Sequence, residues 1–147
     1  MQPEKMESIN LGLQKKYQKI KDNEVRFETI MAEDADYIVI SFGLTSRSAN
    51  KALQLARAEG IKVGILRPQT LFPFPIGEIQ NLTQRVKGIL VVEMNAGQMV
   101  DDVRLAVNGK IPVEFYGRMG GMIPQPEDIL SKIVEMKEKI EKSEARK

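Results

Sequence analysis

The apolar positions at the start of the chain, Met6, Ile9, Leu13, Tyr17 and Ile20, recur at spacings of three and four, which predicts an amphipathic helix. Lys21-Asp22-Asn23 breaks it. Over residues 25–30 the period falls to two: Val25, Phe27 and Thr29 lie on one side and Arg26 and Glu28 on the other, the pattern of a half-exposed edge strand. An acidic loop, Glu33-Asp34, leads into Tyr37-Ile38-Val39-Ile40-Ser41, a continuous apolar run that suits a strand covered on both faces.

Strand and helix patterns then alternate. Gly43 ends the strand, Thr45 or Ser46 is placed to cap a helix, and Ala49, Ala52, Leu53 and Ala56 form a narrow apolar stripe that stops at Gly60, in the C′ position. Residues 61–66 read as a second buried strand. Pro75 is suited to the first helical position, and Ile76, Ile79, Leu82 and Val86 continue that helix to Gly88. Residues 89–92 form a third buried strand, Val100, Val103 and Val107 line a helix ending at Asn108-Gly109, and residues 111–115 are a further strand. Pro126 opens the last helix, with Ile129, Ile133, Met136 and Ile140 on one face and Glu127 and Asp128 favourably placed in its first turn.

This alternation predicts an α/β fold, a three-layer α/β/α domain whose parallel strands are joined by right-handed crossovers. A length of 147 residues fits one domain: a leading helix over 1–22, an α/β body over 23–141 and a charged tail over 142–147. No apolar run approaches the roughly 18 residues of a membrane span. The first 16 residues also lack the apolar stretch of a secretory signal, so a cytoplasmic location is expected and Asn81-Leu82-Thr83 is not expected to be glycosylated. A net charge of +2, with acidic and basic residues interspersed, argues against a nucleic-acid footprint; the lysine-rich helices read as solvated faces.

The absence of histidine and cysteine narrows the chemistry most. Cys/His zinc sites, thiolate-held iron–sulfur clusters, cysteine nucleophiles and Ser-His-Asp triads all need side chains that are not here. Any redox centre must sit on another chain. The unusual residues fall in four clusters after the four strands taken as interior: 41–46, 67–75, 93–98 and 116–124. In an open parallel sheet all four gather on the C-terminal rim, where ligands and partners bind.

Gly43-Leu44-Thr45-Ser46 lacks the spacing of a phosphate-binding loop and reads as a tight turn with a cap. Arg67-Pro68-Gln69-Thr70-Leu71-Phe72-Pro73-Phe74-Pro75 is stiff and apolar: Phe72 and Phe74 either face a partner or fold back on the core. Glu93, Asn95 and Gln98 put a carboxylate and two amides at a strand-to-helix turn. Orienting a ligand or water is one role; accepting N–H bonds or pairing with Arg67 or Arg118 is the preferred one. Arg118, between glycines, either grips an anion or ties the rim together. None of these loops forms a self-sufficient catalytic set.

Taken together, Gly60-Ile61-Lys62-Val63-Gly64-Ile65-Leu66-Arg67-Pro68, Thr70-Leu71-Phe72-Pro73-Phe74-Pro75 and Val91-Val92-Glu93-Met94-Asn95-Ala96-Gly97-Gln98-Met99-Val100 resemble the C-terminal half of the alpha subunit of 2-oxoacid:ferredoxin oxidoreductases. Val113-Glu114-Phe115-Tyr116-Gly117-Arg118-Met119-Gly120-Gly121-Met122-Ile123-Pro124 looks most like the branch acting on 2-ketoisovalerate (3-methyl-2-oxobutanoate), with 2-oxoglutarate and pyruvate as other substrates of the family. The resemblance implies a transketolase C-terminal-like fold: a mostly parallel sheet of about five strands whose first strand, residues 25–30, is antiparallel.

It further implies a complex that uses thiamine diphosphate with Mg, iron–sulfur clusters, coenzyme A and ferredoxin, the cofactor supplying the hard chemistry. The family's alpha subunit begins with a pyrimidine-binding domain that is not in this sequence. The chain is therefore expected to be inactive alone, with no catalytic, cofactor or metal residue of its own. Its partners are expected to be the other domains and subunits, with ferredoxin and coenzyme A met only through the complex and no nucleic acid or membrane. Arg67, Phe72, Phe74, Glu93, Asn95, Gln98 and Arg118 are the candidate interface or supporting rim residues. An autonomous small-ligand-binding domain is the alternative; a free-standing enzyme ranks last.

Overall fold

A computed structural model describes residues 2–146. Five helices and five strands follow in the order α1 (Pro3–Asn23), β1 (Phe27–Ile30), β2 (Tyr37–Ser41), α2 (Thr45–Ala58), β3 (Val63–Pro68), α3 (Ile76–Leu82), β4 (Gly88–Glu93), α4 (Met99–Val107), β5 (Val113–Gly117) and α5 (Pro126–Glu144). The strands form one sheet in the order β1-β3-β2-β4-β5. Only β1 runs antiparallel, with Phe27 opposite Pro68 and Ile30 opposite Ile65, as the resemblance implied. The other pairings are parallel. β5 lies at the second edge and is half-buried throughout, which corrects its reading as an interior strand.

Two apolar layers flank the sheet. On one side Ile38, Ile40, Leu66, Ile89 and Val91 pack with Ile79 and Leu82 of α3 and Val100 and Val103 of α4. On the other Val39, Val63, Ile65, Leu90 and Val92 meet Ala52 and Leu53 of α2 and Ile129, Ile133 and Met136 of α5. Every residue of β2 and β4 is buried, which is why both read as unbroken apolar runs rather than alternating ones. Each Ile or Leu so enclosed contributes about 1.5–3 kcal/mol over its exposed state.

Helix ends explain where the sequence reading holds. Gly60, at φ 78°, sits at C′ of α2, and the Ile61 and Gly60 N–H groups donate to the Ala56 and Arg57 carbonyls at 2.9 and 3.0 Å, closing a Schellman motif. At the start of α2 the expected cap is absent: Leu44 occupies the cap position, and Thr45 and Ser46 stand inside the helix. Their hydroxyls donate to the Phe42 and Ser41 carbonyls at 2.7 and 3.0 Å, tying the helix to the end of β2.

α3 ends at Leu82, four residues before Val86, and Pro75 precedes it rather than opening it. Just past its end the Thr83 hydroxyl donates to the Gln80 carbonyl at 2.7 Å, a local bond of the kind that competes with continued helix. Arg57 holds the acidic loop, donating to the Val63 and Met31 carbonyls and to both oxygens of Asp34, each at 2.8 Å.

α1 is the exception to core packing. None of its residues is buried, and Met6, Ile9, Leu11, Leu13 and Tyr17 remain largely exposed despite the amphipathic pattern. Its tie to the body includes an edge-on contact of the Tyr17 and Phe72 rings, 6.2 Å between centroids.

Candidate functional site

α2, which follows β2, lies on one face of the sheet, and α4, which follows the adjacent β4, lies on the other. The two loops therefore diverge at the C-terminal ends of β2 and β4, the switch point where open α/β sheets carry their ligand crevices. A cleft of about 380 Å³ opens there. Phe42 and Thr45 line it from the first loop, Met94, Asn95 and Gln98 from the second, and Leu71 from the loop after β3.

Glu93, the last residue of β4, forms the floor and is only 6% exposed. Its carboxylate faces the first turn of α4. Oε2 accepts from the Met99 N–H and Oε1 from the Val100 N–H, both at 2.9 Å; the Gln98 N–H reaches both oxygens at 3.3 Å, and Asn95 Nδ2 donates to Oε2 at 3.1 Å. Four donors thus occupy about the four lone-pair sites of an ionised carboxyl group. The side chain supplies the cap that α4 otherwise lacks, and its negative charge stands at the positive end of that helix. So engaged, it does not fit a ligand for a metal-bound diphosphate. Among the described residues no group of three His, Cys, Asp or Glu side chains gathers around a metal position.

Asn95 closes the turn by accepting the Gly97 N–H at 2.7 Å. The Asn95 carbonyl lies against Gly117 of β5, where any Cβ would collide with it, so the two rim loops touch only because residue 117 has no side chain. The Arg118 N–H donates to the Glu93 carbonyl at 3.2 Å. The Arg118 guanidinium turns to α5, 3.7 Å from Asp128, which also accepts the Tyr116 hydroxyl at 3.0 Å. Arg118 thus ties β5 to α5. Arg67 stands elsewhere, with Nη2 2.8 Å from Glu28 on β1. Of the two readings of Glu93, the N–H-accepting one matches the geometry, and neither guanidinium pairs with its carboxylate.

The proline-rich loop divides between its two readings. Thr70 accepts the Arg26 N–H at 3.1 Å and donates to the Pro73 carbonyl at 2.8 Å, folding the loop back beside β1. Phe74 packs half-buried against the α3–α4 layer. Phe72 points outward, 60% exposed, and meets Tyr17. The switch-point cleft therefore brings together Glu93, Asn95 and Gln98 but not Arg67, Phe72, Phe74 or Arg118. Phe42, Leu71 and Met94 fall inside the rim clusters read from the sequence without being singled out there, and Asp102 lies outside them. The two unpatterned apolar residues next to strand ends, Phe42 and Leu71, were the available signal.

Comparison with known proteins agrees with this geometry. Residues 35–129 match the family model described as pyruvate:ferredoxin oxidoreductase core domain II. The chain is 44% identical over 133 residues, 90% of its length, to ketoisovalerate oxidoreductase subunit VorB of Methanothermobacter thermautotrophicus. It is 38% identical over 135 residues to 2-oxoglutarate synthase subunit KorA of Methanothermobacter marburgensis. It spans 38% and 36% of the lengths of these two relatives. Among solved structures, a 2-oxoglutarate:ferredoxin oxidoreductase from Magnetococcus marinus superposes with a TM-score of 0.78 at 27% identity, over 92% of this chain and 24% of that one. A split-gene transketolase shares the fold alone, with a TM-score of 0.64 at 16% identity. In sequence and in architecture, then, this chain belongs to the pyruvate:ferredoxin oxidoreductase core domain II family.

Proposed function

We propose that the chain serves as a non-catalytic assembly domain of a cytoplasmic, thiamine diphosphate-dependent 2-oxoacid:ferredoxin oxidoreductase. That complex would decarboxylate a 2-oxoacid oxidatively to its acyl-CoA and reduce ferredoxin, with thiamine diphosphate, Mg and iron–sulfur clusters on other domains or subunits. The observation that carries this reading is the distribution of exposed apolar side chains. Phe42, Leu44, Leu71, Phe72, Met119 and Met122 crowd the C-terminal rim, and α1 adds a further apolar stripe. Patches of this kind mark interaction surfaces. Identities of 44% and 45% to two ketoisovalerate oxidoreductase subunits favour 2-ketoisovalerate as the oxoacid over 2-oxoglutarate, whose synthase subunits match at 42% or less.

The test tracks the tryptic peptide of residues 88–104 by mass spectrometry through native gels of source-cell lysate. Migration with iron–sulfur proteins in a complex that oxidises 2-ketoisovalerate is the expected result. Migration as a free 16.6 kDa protein sinks the assembly role. A small-ligand-binding domain is the second reading, favoured by the largely apolar cleft at the switch point. It requires a saturable rise in melting temperature with a small molecule, lost when Leu71 is replaced by Asp.

A further inference from the structure

A second cleft, of about 540 Å³, lies on the α2 side of the sheet, beside the edge strand β1. Alternation along β3 directs Ile65 and Arg67 to this side, and the antiparallel register sets Ile30 and Glu28 opposite them. The start of α2 forms the facing wall with Leu44, Arg47 and Asn50. We propose that this cleft binds a small phosphorylated molecule, its phosphate held between Arg47 and Arg67 and its body against Ile30 and Ile65.

Three independent observations support the site. Arg67 Nη2 lies 2.8 Å from Glu28, while its Nε is buried without a hydrogen-bond partner. A buried orphan N–H is rare, and a turn of the Arg67 side chain into the cleft would bring it to an acceptor seated there. Arg47 is exposed at the cleft wall, and no carboxylate of the described residues lies within ion-pair distance of it. Two guanidinium groups thus face one carboxylate, which leaves the cleft net positive. The first turn of α2 holds no acidic side chain to offset its positive end.

Guanidinium forks suit the tetrahedral oxygens of a phosphate dianion, and the cleft exceeds a bare phosphate in volume, which leaves room for an organic body beside it. The site borders the assembly surface at Leu44, but its test uses the free chain and does not depend on the assembly role. The experiment titrates the 147-residue chain with inorganic phosphate and with phenyl phosphate at constant ionic strength, following backbone amides and the Arg67 Nε–H by NMR. Saturable shifts confined to residues 43–50 and Arg67 are expected, with phenyl phosphate the tighter ligand. Arg47→Ala should weaken binding about tenfold, and Glu28→Gln, which removes the competing carboxylate, should strengthen it. Shifts that chloride reproduces, or that persist unchanged in Arg47→Ala, overturn the proposal. So does saturation by an acidic peptide where phenyl phosphate has no effect, since the cleft would then be a protein contact.

Discussion

Four donors converge on the Glu93 carboxylate, so its replacement by Gln leaves one oxygen and an amide that repels the N–H groups of α4. Glu93→Gln should lose about 1–3 kcal/mol in urea unfolding, with a fall in melting temperature of roughly 2–4 °C per kcal/mol for a chain of this size. An unchanged midpoint would show that the turn holds without the charge. Asp34 reports on pH instead. The Arg57 guanidinium, donating to both its oxygens, holds its carboxyl below the ordinary value of 3.8. A depressed folded value means that the pair's contribution is fully present above the unfolded value and is lost as pH falls through the folded one. Asp34→Asn should therefore be the less stable protein at neutral pH and should converge with the parent as pH falls through the depressed folded value. Parallel stability curves from about pH 6 to pH 2 would refute that linkage.

At the level of elements, the loop after β3 separates two functions two residues apart. Phe74→Ser removes an aromatic side chain packed against the α3–α4 layer and should lower stability by about 2 kcal/mol, while Phe72→Ser should stay within about 0.5 kcal/mol of the parent. In the assembly reading, Phe72→Ser alone weakens the hold on other subunits, measurable as a larger dissociation constant. The reverse pattern in the two melting curves would overturn the assignment. α1 differs from the other helices because none of its residues is buried, and helices in proteins draw most of their stability from packing an amphipathic face. Its amides should exchange with solvent far faster than those of β2 and β4 in the free chain, and slow on assembly. Equal protection in the free chain would mean that α1 is already docked.

Across the whole molecule, what could be read in advance was what depends on periodicity. Unbroken runs at residues 37–41 and 89–92 gave the buried central strands, alternation at 25–30 gave an edge, and Gly60 gave a helix end, because each pattern follows from local geometry and burial. The antiparallel sense of β1 came from family resemblance, since alternation does not encode direction. Contacts far apart in sequence were not legible. Arg67 and Glu28 are 39 residues apart, so nothing local favoured that pair over Glu93, and Phe72 and Phe74 share their chemistry and differ only in where a folded loop points them. The amphipathic stripe of α1 marked an apolar face, and periodicity does not encode whether the body of the chain covers it. The two sheet edges remain. β1 is four residues long and carries Glu28 paired with Arg67, and β5 carries Glu114 paired with Lys139. Short, charged margins resist the addition of a further strand from a neighbouring molecule. In the assembly reading, a subunit made ahead of its partners must survive an interval alone, and these margins would keep newly synthesised copies from polymerising through their sheets while the apolar rim waits to be covered.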